Sequence, residues 1–319
     1  MASSSSCTVV IVGYQGERWL PGCLNTLAEA SAESIRLVLV DNGGNGDLGA
    51  LPLDKFQCHL TTAPCRLGFA EANNFALRQI DLDSEAVSFL NQDTLSQPGW
   101  LDACLACLRD HPDVGALSPL LLTYDGSGYD PGFRDCTRHV AAFPANPAGR
   151  ADYSAFEEAQ QVTAAAMVVR TAALRKSGPF DPIFGSYYED YDLCRRIRLA
   201  GYRIGVCGRG AVWHYSGSST TSTSAKEKRL RQIIRNRVIL SIREAGDRRG
   251  RALARYVTCS LPHNLGRSLL GTPSSQPLSV QLAANWDLAA QWKRLLSARS
   301  DHRAWIEYLS TIDWPELCD

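Results

Sequence analysis

Apolar positions along the first 120 residues follow two spacings in turn. Near-continuous β-branched runs fall at Thr8–Tyr14 (TVVIVGY), Ile35–Val40 (IRLVLV) and Ala86–Leu90 (AVSFL), the composition of strands covered on both faces. Between them, Leu20, Cys23, Leu24 and Leu27 form a helical stripe that predicts a helix over Arg18–Leu27. Further helices are predicted over about Ala70–Gln79 and Pro98–Arg109, with short strands at Phe56–Leu60 and Val114–Pro119. This alternation implies an α/β fold with a doubly wound, mostly parallel, Rossmann-like sheet. Ligands of such sheets sit outside the carboxyl ends of the strands. Tyr14, Asp41 and Asp93 stand at three of those ends and are expected to gather on one rim.

Beyond Pro119 the pattern loosens. Residues 123–158 are rich in Gly, Pro and Asp and read as an irregular excursion. A strand over Val162–Arg170 and a short helix over Thr171–Lys176 follow, then a turn crowded with aromatics at Gly178–Tyr188 and a helix over Glu189–Ala200. Tyr202–Cys207 and Ala211–His214 read as two short strands, and Ser216–Ser224 as a mobile Ser/Thr/Gly stretch. A basic helix is predicted over Ala225–Ala245, and Trp286, Trp292, Trp305 and Trp314 mark a small helical appendage. The chain therefore divides into an α/β domain, residues 1–224, and a C-terminal helical region, residues 225–319.

Composition narrows the function. The apolar fraction of 45% suits a packed globular protein, and 33 basic against 33 acidic residues argue against a surface built for nucleic acid. Charge is uneven, however: Lys226–Arg255 holds eleven Lys/Arg against three Asp/Glu, with an apolar stripe at Leu230, Ile233, Ile234, Val238 and Ile242. Such a helix either lies on an anionic membrane surface or packs on the domain with its charges outward; the second reading is preferred. The start, MASSSSC, lacks the basic-then-apolar pattern of a secretory signal, and no apolar run is long enough to span a bilayer. Eleven irregularly spaced cysteines suit free thiols in a reducing compartment. A cytoplasmic protein is expected, with peripheral contact at the inner face of the membrane as a further option. Cys104 and Cys107 form a lone CxxC on a helical pattern and read as a buried helix face.

Four places carry candidate chemistry. Asp41 is where a dinucleotide-binding fold grips a ribose, yet Gly13-Tyr14-Gln15-Gly16 lacks the middle glycine of GxGxxG, which disfavours a dehydrogenase. Asp41 as a turn former before Gly43-Gly44 stays open. Asp93, flanked by Asn91 and Gln92, offers hard oxygen ligands to Mg²⁺ or Mn²⁺, or else shapes the turn before Pro98. Glu189 and Asp190 open a helix straight after Phe184-Gly185-Ser186-Tyr187-Tyr188, the composition of a general base beside an acceptor pocket or of simple helix-dipole complements. His214 ends an apolar strand, where a neutral imidazole can ligate a metal.

The stretches VVIVGYQGERWLPGCLNTL, LVLVDNGGNG, LGFAEANN, FLNQDT, GPFDPIFGSYYEDYDLCRRIRLAGYRIGV and VWHYSGSS together resemble the family 2 glycosyltransferases of GT-A fold, and among them the bacterial rhamnosyltransferase-like group, over roughly residues 7–245. The resemblance implies inverting transfer from a nucleoside-diphosphate sugar (UDP-, dTDP- or GDP-linked) to a hydroxyl of a glycan, lipid-linked or small-molecule acceptor. It implies Asp41 at the base or ribose, Tyr14 near a pyrimidine ring, and Asn73, Asn74 and Gln92 beside the nucleotide. Asp93 takes the place of the metal carboxylate and His214 that of a further ligand, for Mn²⁺ or Mg²⁺. Asp190 matches the catalytic base, with Glu189 next to it, and Arg235-Asn236 an RN pair near the diphosphate. The chain departs from the pattern in having one carboxylate in Asn91-Gln92-Asp93, Gly13 where Asn is commoner, and Arg66 before Leu67-Gly68-Phe69. A homodimer is compatible with the tail. Rival readings are a non-catalytic protein of the same fold that binds nucleotide-sugar or glycan, and a nucleotidyltransferase; the latter needs a glycine-rich basic loop that Gln15-Gly16-Glu17-Arg18 does not provide.

Overall fold

Each apolar run becomes a strand of one sheet. The computed structural model describes residues 6–137, 139–140, 156–216, 222–272, 275–292 and 295. In chain order these form β1 (Cys7–Gly13), α1 (Leu20–Leu27), β2 (Arg36–Asp41), β3 (Gln57–Thr62), α2 (Phe69–Arg78), β4 (Ala86–Leu90), β5 (Thr94–Ser96), α3 (Trp100–Asp110) and β6 (Val114–Thr123). There follow α4 (Pro131–Thr137), β7 (Glu157–Ala159), β8 (Ala166–Arg170), α5 (Thr171–Ser177), α6 (Glu189–Leu199), β9 (Arg203–His214) and α7 (Thr223–Glu244). Last come α8 (Arg249–Arg255), α9 (Leu261–Leu269) and α10 (Leu278–Ala290), with a π-helical turn at Tyr256–Ser260 between α8 and α9.

The sheet order is β3-β2-β1-β4-β8-β6-β9-β5, with β7 also on β9. β3, β2, β1 and β4 are mutually parallel, and the register sets Gly13 beside Asp41. β8 runs antiparallel between β4 and β6, while β6 and β9 are parallel. The core lies on both faces of β1, β2 and β4, whose interior side chains are buried against α1, α2 and α3. Cys104 and Cys107 face inward on α3; nine of the ten described cysteines are free thiols, and Cys65, which is disulfide-bonded, departs from the all-thiol expectation.

The structure differs from the sequence reading in three places. The two short strands after residue 201 are one strand, β9, because its partner β6 continues to Thr123 past a bulge; pairing jumps from Pro119–Cys207 to Leu120–Ala211. Gly208-Arg209-Gly210 imitates a turn in sequence, but the ladder on either side bridges it. Residues 123–158 are not wholly irregular, since α4 and the start of β7 lie within them. β5 was too short to stand out. The mobile reading at 216–224 falls largely on residues 217–221, which with Trp305 and Trp314 lie outside the described residues.

α7 is fastened to the body by its inward side. Ile239, Leu240 and Ile242 pack with Ile183, Phe184 and Leu288. Beside them Arg243 forms ion pairs with Asp181 and Asp192, and Asp192 also binds Arg196 at 2.8 Å, all four groups being buried. Removing one partner of such a network strands a desolvated charge. Arg243→Ala is therefore expected to lower the unfolding free energy by about 3–5 kcal/mol, read as a lower urea midpoint; an unchanged midpoint would refute this role.

Candidate active site

The carboxyl ends of β1, β2, β4 and β9 open onto a cleft of about 830 Å³, and Tyr14, Asn73, Gln92, Asp93, His214 and Arg235 all line it. Asp41 lines an adjoining cavity of about 400 Å³ that shares Tyr14, Asn42 and Arg66 with the first. The rim anticipated from the strand ends is therefore present, in two compartments.

Side-chain amides brace the loop after β1, beside the first compartment. Asn45 donates to Gly13 O at 2.8 Å and to Asp41 Oδ1 at 2.6 Å, and accepts from Gly16 N at 2.9 Å. Gln92 accepts from Tyr14 N at 2.9 Å and donates to Tyr14 O at 2.7 Å. A Cβ on Gly13 would lie 3.1 Å from the Asn45 amide, and one on Gly16 2.4 Å from Gln92 Oε1. These glycines admit neighbouring side chains, which explains why the GxGxxG spacing is broken: they cradle amides where a dinucleotide fold cradles phosphate. Asp41 Oδ1 also accepts from Gly43 N at 2.9 Å, so the turn-forming role operates together with its cavity-facing position. Arg66 stacks 4.2 Å above the Tyr14 ring, at the junction of the two cavities.

Asn73 and Asn74 separate. Asn73 lines the cleft while donating to Phe69 O at 2.8 Å. Both polar atoms of Asn74 are taken by Phe180, at 2.7 and 3.0 Å, in the buried layer behind the cleft. This corrects its expected place beside the nucleotide; adjacent helical positions point about 100° apart, so only one of the pair faces the cleft.

At the end of β4, Asp93 Oδ1 lies 3.4 Å from His214 Nε2, and Asn91 Nδ2 lies 3.1 Å from the same nitrogen. The pairing of β5 with β9 sets Thr94 opposite His214 and brings the two residues together. On the far side of the ring, Nδ1 is 3.0 Å from Asp130 Oδ2, and Ser216 Oγ donates to the same carboxylate. Burial alone would lower the His214 pKa; hydrogen bonds to Asp130 and Asp93 outweigh it and raise it to about 9. Asp130 caps α4, accepting from Gly132 N at 2.8 Å and Phe133 N at 3.1 Å. It was missed in sequence, though Asp130-Pro131 is an N-cap followed by a first-turn proline and marks a helix start.

With Asp93 and Asp130 on its two nitrogens the ring favours the protonated form; a divalent cation beside Asp93 would take the place of the Nε2 proton, with Asp130 orienting the ring through Nδ1. Among the described residues no set of three or more His, Cys, Asp or Glu is arranged to hold a metal by itself. A hard cation held by two protein donors takes its remaining ligands from phosphate oxygens and water.

Asp190 does not line the cleft directly. It stands one layer behind Thr163, which does, and accepts from Ala164 N at 3.2 Å and Tyr191 N at 2.9 Å. Burial raises its pKa despite these donors. Glu189 is buried too, its Oε2 without a hydrogen-bond partner among the described residues, and burial followed by the neighbouring Asp190 raises its pKa well above the usual value. The turn before them has positive φ at Gly185, Tyr187 and Tyr188 (64°, 71° and 73°), strained for the two tyrosines. Asn236 holds that turn by donating to Phe184 O, Ser186 O and Tyr187 O at 2.6–2.8 Å. Arg235 donates to Ile183 O at 3.1 Å and Phe184 O at 2.8 Å while still lining the cleft. The RN pair thus clamps the turn carrying Glu189 and Asp190, a task its sequence position did not disclose. Lys228 and Arg229 join Arg235 in making part of the lining basic.

A model described as Glycosyl transferase family 2 matches residues 8–145, and one described as Glycosyl transferase family group 2 matches residues 86–294. The chain is 26% identical over 236 residues to the N-acetylglucosaminyl-diphospho-decaprenol L-rhamnosyltransferase of Mycobacterium tuberculosis, covering 66% of this chain and 76% of that one. Residues 1–349 of S. aureus TarS in complex with UDP-GlcNAc superpose with a TM-score of 0.55 at 19% identity, covering 98% of this chain and 89% of that one. The chain spans 54% of the longer TarS chain. The mannosyltransferase PcManGT of Pyrobaculum calidifontis, in complex with GDP-Man and Mn²⁺, superposes with a TM-score of 0.55 at 15% identity, covering 99% and 86%. At these identities the structural likeness is one of fold, the GT-A arrangement expected from the sequence.

Proposed function

Because the chain belongs to the family 2 glycosyltransferases, we propose that it transfers a deoxyhexosyl group, rhamnose foremost, from a nucleoside diphosphate to a hydroxyl of a diphospholipid-linked sugar, with inversion and with a divalent cation. The observation that carries this reading is the meeting of Asp93 and His214, 3.4 Å apart, in the same cleft as Lys228, Arg229 and Arg235. The rhamnosyl donor and lipid-linked acceptor are suggested by the Mycobacterium tuberculosis relative.

In this reading the base and ribose enter the smaller cavity by Asp41, under the stacked Arg66 and Tyr14. Asp93 and His214 would hold Mn²⁺ or Mg²⁺, which when bound neutralises charge on a departing diphosphate. Asp130 keeps the His214 ring oriented through Nδ1. Arg235 supplies fixed positive charge from a position already braced by two carbonyls. Asp190, its basicity raised by burial, acts through the Thr163 hydroxyl that stands between it and the cleft: Thr163 passes its proton to Asp190 and takes the acceptor's as that oxygen attacks from the face opposite the nucleotide. A nearby carboxylate also favours an oxocarbenium-like transition state.

Donor identity is tested by thermal stabilisation with dTDP-, UDP- and GDP-sugars plus Mn²⁺, since a ligand that binds only the folded state raises its melting temperature. A dTDP-deoxyhexose is expected to stabilise most. No stabilisation by any nucleotide-sugar would remove the donor reading.

A further inference from the structure

We infer that α8, α9 and α10 form a docking face for an anionic lipid bilayer. This goes beyond the donor and acceptor reading and is tested without any transfer reaction.

The face is left over after the helices have packed. α8, the π-helical turn and α9 contain no fully buried side chain. One side leans on neighbouring structure: Tyr256 donates to Asn285 of α10 at 2.7 Å, and Ser268 to Gln276 O at 2.6 Å. The remaining surface carries Val257, Leu269, Leu270, Leu282, Trp286 and Trp292, each 52–80% exposed. These are six of the ten exposed large apolar side chains among the described residues. Single exposed leucines are ordinary, but such a concentration marks an interaction surface.

Charge selects the occupant. Between Arg248 and Ser300 the sole acid is Asp287, and Arg231 engages it with two contacts of 2.5 Å. Arg248, Arg249, Arg251, Arg255 and Arg267 stand in the acid-free stretch before it. Leucine and tryptophan interspersed with arginine, without acids, is the chemistry of a surface lying at the headgroup level of anionic lipid. A second copy of the chain suits it poorly, because a two-fold contact would set the same basic surfaces against each other. Among the described residues no helix is long and apolar enough to cross a membrane, so the contact lies on the bilayer and does not span it. The face also adjoins the cleft: Gln291 lines it, and the next residue, Trp292, is exposed. Docking there would bring the cleft mouth to the membrane plane, where the sugar of a lipid-linked acceptor is carried.

The test is co-sedimentation of the full chain with vesicles of mixed phosphatidylglycerol and phosphatidylcholine, against phosphatidylcholine alone, at low and moderate salt. Binding to the anionic vesicles only, weakened by salt, is expected. Leu269→Ser with Leu270→Ser should weaken it about tenfold through lost apolar burial, and Arg251→Gln with Arg255→Gln about thirtyfold at roughly fivefold per arginine. All four side chains are exposed or at the surface, so melting temperatures should not change. Absence of binding at low salt overturns the proposal, as does equal binding of wild type and both variants. Concentration-dependent self-association abolished by Leu269→Ser with Leu270→Ser, with no vesicle binding, would overturn it in favour of a second copy.

Discussion

Asp190→Asn is expected to leave nucleotide-sugar binding intact while slowing transfer by about 10²–10⁴-fold. That loss corresponds to roughly 3–5 kcal/mol of barrier, the share a well-placed general base supplies. The amide keeps the shape of the carboxyl, but Ala164 N and Tyr191 N donate to different Asp190 oxygens and the amide can accept only one of these bonds, so the kinetic loss is read beside a melting temperature that shows the variant folded. What the variant lacks is a group able to take a proton. Glu189→Gln separates the two acids. Burial and the neighbouring Asp190 both raise the Glu189 pKa and so oppose its charged form, and a neutral amide should therefore cost little transfer. The pH profile gives a third reading. Asp190 works as a carboxylate, so transfer should fall as pH drops through a midpoint above the ordinary aspartate range, since burial raises its pKa. Steady-state rates and donor titrations on the two variants check this. An Asp190→Asn protein with wild-type turnover would discard the base assignment, as would a Glu189→Gln protein with the larger defect.

The second large effect concerns the cation. Chelator is expected to suppress transfer, and Mn²⁺ or Mg²⁺ to restore it; Asp93→Ala should remove Mn²⁺ binding in the presence of nucleoside diphosphate. Asp130 meets the His214 ring at Nδ1, the nitrogen turned away from Asp93, so it is expected to act through the ring's orientation. Asp130→Asn should therefore weaken Mn²⁺ binding by about 10–100-fold, the usual cost of losing a partner that orients a metal-binding histidine. Titration of free Mn²⁺ by its paramagnetic resonance signal reads both variants directly. Transfer that ignores chelator and survives Asp93→Ala would leave the pair at 3.4 Å with a structural role alone.

Much of this architecture was legible in the chain. β1, β2 and β4 appeared within a residue or so of their observed limits, because strands buried on both faces are written as unbroken β-branched runs. α1 and α3 were legible from their apolar stripes, and α6 as a helix opened by Glu189 and Asp190. β9 was divided wrongly because Gly208-Arg209-Gly210 reads locally as a turn, whereas its pairing with β6 is a long-range interaction that no local pattern encodes. α4 was lost inside a Gly- and Pro-rich tract, and with it Asp130.

Among the site residues the division has the same origin. Tyr14, Asp41, Asp93 and His214 were found because strand ends of a doubly wound sheet converge on one edge whatever the loops do. The sequence by itself determined the sheet, its carboxyl edge and the chemical types gathered there, since these follow from burial period and local turn chemistry. Tertiary structure alone decided which atoms meet: Asp130 with His214, Asn45 with Gly13 O, Asn236 with the carbonyls before Glu189. Asp130 and Asn236 act across 84 and about 50 residues of chain. The direction of a hydrogen bond over such a separation is fixed only when packed helices and strands bring its two ends to rest.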